Sequence, residues 1–244
     1  SDEEIRRVIG DFARAADLAI QAGFDGVEIH GANGYLLQQF YSAQSNRRND
    51  EWGGSREKRM RFPLAVIGAV NEAKVRRACP EFIVGYRFSP EEAGENGLTM
   101  EDAFALVDVL VNQPLQYLHV SLWEFGKKAR RGADTSRTRM DLLHERINGR
   151  LPLIGVGNLL SAAQIEQAMD SGWAEFVAVG KAVLMNPDLV SLLENGRGSQ
   201  VVTELDLNRP DHYGIPDYLW QLCQSRPAFL PPVKGDGDWK PVDA

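Results

Sequence analysis

His30, Asn33 and Tyr35 fall in the run His30-Gly31-Ala32-Asn33-Gly34-Tyr35-Leu36-Leu37, directly after a segment that alternates like a strand. In a parallel α/β barrel the strand ends face the active site, so polar side chains crowded there are placed for chemistry. An imidazole and a carboxamide can each donate a hydrogen bond to one oxygen, polarising a carbonyl or nitro group as an oxyanion hole does. A phenol beside them can supply a proton. The plainer reading is a strand-end histidine and a turn asparagine that satisfy backbone groups, with Gly31 and Gly34 serving the turn. Taken alone, each residue fits the plainer reading better.

Arg87 closes the segment Val84-Gly85-Tyr86-Arg87 before Ser89-Pro90, where a structural ion pair with Glu91 or Glu92 is the default. Gly155-Val156-Gly157-Asn158 and Val179-Gly180-Lys181 each end a strand-like run and lead into a helix-like one. Glycine amides at helix N-termini bind phosphate, and the last two strands of a (β/α)8 barrel commonly hold such a site. Short glycine turns are also routine connections, so these two are weak signals by themselves. His119 reads as a packed strand residue. Trp123 and the basic cluster Lys127, Lys128, Arg130 and Arg131 follow the same strand, the charges solvated or in contact with a nicotinamide cofactor's phosphates.

The elements that must position these residues alternate. Ser1 with Glu4 fits a capping box, and Ile5, Val8, Ile9, Phe12, Ala16 and Ala19 recur at helical spacing up to Gly23. The strand Phe24–His30 follows. A helix from Ser55 to about Arg77 precedes the strand Phe82–Arg87, and a helix capped at Thr99 precedes the strand Tyr117–Ser121. A loop and a helix near Met140–Ile147 lead to the strand Leu153–Val156. A helix capped by Ser161 with Gln164 then leads to the strand Glu175–Val179. Five strands separated by helix-sized segments predict parallel pairing and an α/β class. After a short helix near Pro187–Glu194 the chain carries Pro210, Pro216, Pro227, Pro231, Pro232 and Pro241, a tail unsuited to another βα unit. Its aromatic residues Tyr213, Tyr218, Trp220, Phe229 and Trp239 suit docking on the barrel or on a partner subunit, and Cys223 reads as a buried small apolar residue.

The 244 residues are 43% hydrophobic and 25% charged, ordinary for a globular protein. Lys and Arg number 27 against 34 Asp and Glu, a net charge of −7, which disfavours nucleic acid or an anionic membrane as partner. Cys79 and Cys223 are too far apart in sequence to suggest a metal site or a disulfide framework, so no metal is expected. The start Ser1-Asp2-Glu3-Glu4 is acidic where a signal peptide is basic, and no apolar run is long enough to span a bilayer, so the expected location is cytoplasmic.

The run from Gly23 to Phe62, with His30-Gly31-Ala32-Asn33-Gly34-Tyr35 followed by Ser45-Asn46-Arg47-Arg48-Asn49-Asp50-Glu51-Trp52-Gly53-Gly54-Ser55, closely resembles the old yellow enzyme family of FMN-dependent NAD(P)H oxidoreductases. The resemblance implies a parallel (β/α)8 TIM barrel, with this chain carrying about five strand–helix units that match the family's strands 4 to 8. On that reading residues 1–195 are the C-terminal portion of an FMN-binding barrel and 196–244 a docking tail. It implies FMN, with NADH or NADPH as reductant, and reduction of an activated alkene such as an enone, or of a nitro compound. His30 and Asn33 would hold the substrate oxygen and Tyr35 would protonate the α-carbon. Arg87 would lie against the flavin ring, and Gly157, Asn158, Gly180 and Lys181 would hold the phosphate. The family usually has arginine where Lys181 stands, and lysine keeps the charge without the fork. Asn46, Arg47, Arg48 and Asp50 are assigned to scaffolding.

Two distant cysteines cannot make the four-thiolate cluster of the related subgroup that reduces dienoyl-CoA thioesters. The length matches the roughly 250 residues of a whole barrel, yet only five strands are legible. The expected partners are therefore the N-terminal part of the same barrel and a small-molecule substrate, with a homo-oligomer left open. The alternatives are a flavin-free, phosphate-binding isomerase or aldolase barrel, and an incomplete piece inactive without its N-terminal part.

Overall fold

The computed structural model describes residues 1–225, 227–237 and 239–240. Helix α1 (Asp2–Gln21) starts at the expected capping box: the Ser1 hydroxyl accepts from the Glu4 N–H, and the Glu4 carboxylate reaches back to Ser1. It ends in a Schellman motif, with the Phe24 N–H on the Ala19 carbonyl, the Gly23 N–H on that of Ile20, and Gly23 at φ +82°. That cap explains one difference from the sequence reading. Phe24 and Asp25 belong to the helix exit, so β1 runs Gly26–Gly31 and not from Phe24.

Four further strands follow: β2 (Ile83–Phe88), β3 (Tyr117–Val120), β4 (Leu153–Val156) and β5 (Phe176–Ala178). Their order in the sheet is that of the chain, and β1 through β4 pair in parallel. The intervening helices are α2 (Leu36–Tyr41), α3 (Arg56–Arg76), α4 (Met100–Leu110), α5 (Arg139–Ile147) and α6 (Ala162–Asp170). After β5 come α7 (Lys181–Met185), α8 (Leu189–Glu194) and α9 (Asp217–Gln224). The α/β class and its consecutive strand–helix units are those expected. Two short helices, α2 and α9, lie where the sequence pattern predicts none. Six residues show too little of a 3.6-residue period to register, and the prolines around α9 masked it.

Two units divide the chain. The first comprises residues 1–121 with 128–154. Along its strands Ile29, Val84, Tyr86, Phe88, Leu118, Val120 and Leu153 are buried on one face of the sheet. The alternate positions Glu28, His30, Arg87, Tyr117 and His119 occupy the other. The register sets His30 beside Arg87 and Arg87 beside His119. Two glycines are required by this layer: a Cβ on Gly31 would sit 2.3 Å from the Tyr86 hydroxyl, and one on Gly85 would sit 2.1 Å from the Tyr117 ring.

The loop between α2 and α3 is the hydrogen-bonded scaffold expected. The Asn46 amide donates to the Phe40 and Trp52 carbonyls at 2.6 and 2.8 Å, Arg48 pairs with Asp50, and Asp50 accepts from the Trp52 N–H. The second unit, residues 122–127 with the chain from Gly155, has its own apolar cluster. Leu205, Tyr213, Cys223, Leu230 and Val233 bury themselves around Leu160 and Met185. Cys223 is fully buried, and desolvation pushes its thiol pKa up.

Candidate active site

The turn after β1 is built on Asn33 and Gly34. The Tyr35 N–H closes onto the Ala32 carbonyl, and both central residues have positive φ, +58° and +72°. Asn and Gly are the residue types that adopt this backbone at least cost, so the plainer turn reading holds for the main chain. The side chains are free to do something else. Gln38 and Gln39 pin the turn by accepting from the Gly34 N–H and donating to the Gly34 carbonyl.

His30 is half-buried at the end of β1, its ring centroid 5.3 Å from that of the exposed Tyr35. Arg87 donates from Nη2 to the Ser121 hydroxyl at 2.9 Å, and Ser121 donates to Asn33 Oδ1 at 2.7 Å. Arg87 Nε is buried without a hydrogen-bond partner among the described residues. The default ion pair of Arg87 with Glu91 or Glu92 is not what forms: Glu91 pairs with Arg139, and Glu92 accepts from Gln38, Ser42 and the Leu98 N–H.

Behind these groups Glu28 accepts from Tyr117 at 3.0 Å and lies 2.9 Å from His119 Nδ1. Partial burial opposes the charge on Glu28, but His119, Tyr117 and Arg87 hold its carboxyl below the usual range. Burial and then the Glu28 charge push the Tyr117 phenol up to about 12. His119 is buried as expected, yet it is paired with a carboxylate and its Nε2 has no partner among the described residues. Glu28, Ser89 and Ser121 escaped the sequence reading. Counting back two residues from His30 and forward two from His119 finds Glu28 and Ser121, because side chains on one sheet face recur at that period.

Burial lowers the His30 pKa below 6.5, the nearby Arg87 charge adds to this, and Glu28 offsets part of it. His30 is thereby held as a neutral donor at neutral pH. The unfolded chain then takes up a proton before the folded one as pH falls through 6.5, so stability present above that pH is lost below it. Between about pH 7 and about pH 5.5 the urea midpoint of the His30→Gln variant is expected to fall less than that of the parent.

In the second unit Gly157 has φ +152° and Asn158 φ +50°. A Cβ on Gly157 would lie 2.2 Å from the Phe125 nitrogen, whose N–H donates to the Gly157 carbonyl, so only glycine fits. Lys181 Nζ donates to Asn158 Oδ1 at 3.3 Å and to the Ala228 carbonyl at 3.4 Å, and stands 4.7 Å from the centre of the Trp239 ring. Burial lowers its pKa. These partners are neutral, an arrangement that favours an anion at the ammonium. Gly180 caps α7, and a Cβ there would meet open space. Of the basic cluster after β3, Arg131 is committed to the Glu95 and Gly97 carbonyls at 3.2 and 2.6 Å and is not simply solvated.

Residues 1–200 match the model of the NADH:flavin oxidoreductase / NADH oxidase family. The chain belongs to this family. It is 46% identical over 231 residues to a probable NADH-dependent flavin oxidoreductase, YqiG, of Bacillus subtilis (strain 168), a match covering 95% of this chain and 62% of the relative. It is 37% identical to an NADH:fumarate oxidoreductase of Klebsiella pneumoniae (strain 342), over 99% of this chain and 26% of that protein. Among solved structures, morphinone reductase in complex with tetrahydroNAD superposes with a TM-score of 0.67 at 30% identity, covering 100% of this chain and 57% of that one. This family member therefore spans about three-fifths of its Bacillus relative and a quarter of the Klebsiella one.

Proposed function

We propose that the chain is the catalytic portion of an FMN-dependent NADH or NADPH oxidoreductase that reduces activated alkenes such as enones, and nitro compounds by the same means. The observation that carries this reading is the meeting of His30, Asn33 and Arg87 at adjoining strand ends, with one buried guanidinium donor, Arg87 Nε, left for an outside acceptor. Bound FMN supplies hydride transfer between the nicotinamide and the alkene. Arg87 would hold a fixed positive charge against the acceptor edge of the ring, and that charge favours the reduced, anionic form. Gly157, Asn158, Gly180 and Lys181 would hold the phosphate, through backbone amides and the partly desolvated ammonium.

His30 and Asn33 would each donate to the substrate oxygen, stabilising the negative charge that develops there. Neutral His30 suits this role because an uncharged N–H does not protonate the oxygen prematurely. Tyr35 would deliver its phenolic proton to the α-carbon. The reading includes residues 1–195 as barrel and 196–244 as a docking tail, and it is supported by the cluster that buries tail residues around Leu160 and Met185. An N-terminal part of the same barrel is the proposed partner, and a homo-oligomer is compatible with it. The proposed location is cytoplasmic; no helix among the described residues is long and apolar enough to cross a membrane.

Purified protein incubated with FMN is expected to keep a yellow chromophore through desalting. It should then oxidise NADH or NADPH at a rate that rises when 2-cyclohexenone is added. The same measurement on this chain fused behind the N-terminal segment of the Bacillus relative separates a missing segment from a wrong reading. A fusion that stays colourless would overturn the flavin assignment in favour of a flavin-free barrel enzyme.

A further inference from the structure

We propose that Ser121 is a positioning residue that fixes which end of the Asn33 carboxamide faces the substrate, an inference that rests on the oxygen-binding role given to Asn33 above. Ser121 is 8% exposed and stands at the end of β3. Its N–H bonds to the Phe88 carbonyl at 2.8 Å, and the Asn33 N–H bonds to the Ser89 hydroxyl at 2.9 Å. Both residues are thus tied by their backbones to the end of β2.

The polarity follows from counting protons. A serine hydroxyl has one proton and two lone pairs, whereas a guanidinium only donates. Arg87 Nη2 at 2.9 Å takes a lone pair of Ser121 Oγ, and because the Asn33 atom seated against the hydroxyl is Oδ1, which only accepts, the single hydroxyl proton goes to it at 2.7 Å. With Oδ1 occupied, the NH2 group is the end of the carboxamide left for a ligand, and no described residue engages it. The last torsion of asparagine is broad and roughly two-fold, so without this bond the amide can turn and set its oxygen against the substrate oxygen. Arg87 also polarises the hydroxyl, which strengthens the second bond of the chain.

The test compares Ser121→Ala and Ser121→Thr in the flavin-loaded protein, each in the parent and in an Asn33→Gly background. Three quantities are read: kcat and KM for 2-cyclohexenone, the Kd of cyclohexanone, and the Kd of FMN. Cyclohexanone offers the same oxygen without a reducible alkene. Ser121→Ala is expected to lower kcat/KM and to weaken cyclohexanone binding by about tenfold each, the worth of one ordered hydrogen bond. FMN affinity should stay within about threefold. Ser121→Thr, which keeps the hydroxyl, should recover most of the loss. In the Asn33→Gly background, Ser121→Ala should cost nothing more.

A loss of equal size in both backgrounds, or one that threonine does not rescue, would overturn the proposal while leaving the role of Asn33 intact. If Asn33→Gly itself leaves enone turnover unchanged, the reading of the site fails, and the proposal with it.

Discussion

Replacing His30 with alanine and Asn33 with glycine together is expected to lower enone turnover by about 10³-fold while FMN affinity changes by no more than about threefold. One donor to a developing oxyanion is worth about 10²–10³ in rate, and two donors acting on one oxygen do not multiply fully. Glycine is the right replacement at position 33 because Asn33 sits at φ +58°. An alanine there would add backbone strain of about 1–2 kcal/mol to the loss of the amide and confuse the comparison. The flavin contacts should survive, since the proposed ring contact comes from Arg87, on a different strand. Stopped-flow reoxidation by 2-cyclohexenone, set beside an FMN titration, gives both numbers. Parallel loss of turnover and flavin affinity would mean that His30 and Asn33 hold the fold or the flavin, and not the substrate oxygen.

Glu91→Ala is expected to destabilise the first unit by about 3–5 kcal/mol, the cost of leaving one member of a buried ion pair without the other. The Glu91 and Arg139 side chains are 0% and 5% exposed and 2.6 Å apart. Glu91 also accepts the Arg130 and Arg131 N–H groups at 2.9 and 3.0 Å, so the substitution strands two backbone donors as well as a charge. These bonds anchor the segment between β3 and α5, which also bridges to itself at Lys128 and Thr138.

An apolar double substitution, Glu91→Leu with Arg139→Met, should recover part of the loss by removing both charges. It should still fall short of the parent, because the two N–H groups keep a penalty of about 1–3 kcal/mol each. The exposed pair Arg146–Asp108, with side chains 48% and 38% exposed, is the control. Its removal should cost no more than about 1 kcal/mol. Urea unfolding of the variants ranks them, and a Glu91→Ala protein as stable as the Asp108→Ala one would overturn the assignment.

Much of the fold was legible because it follows from local rules. Ser1 with Glu4, Ser55, Thr99 and Ser161 cap helices where their types predict, and each of the five expected strands is present within a few residues. The misses were local as well. Phe24 alternates with its neighbours like a strand residue, but the Gly23 cap claims it. The six residues of α2 are too few to display a period.

The site was legible in a different way. His30, Asn33 and Tyr35 were found as types at a spacing, backed by a resemblance over some forty residues from Gly23 to Phe62. Arg87 and Lys181 were found as single charges at strand ends. What each side chain touches was not legible, since Arg87 had equally good sequence neighbours in Glu91 and Glu92.

By itself, the sequence determined the class of fold, the order of its strands and helices, and which residues stand at the strand ends. Those properties depend on patterning over a few residues and on capping chemistry, both of which are written along the chain. Only the tertiary structure decided that Arg87 reaches Ser121 and not Glu91, that Ser121 carries the contact on to Asn33, and that Glu28 sits against His119. These contacts join residues 34 to 91 positions apart. They exist because parallel pairing sets the strands side by side in one register, and no local pattern encodes which strand end meets which.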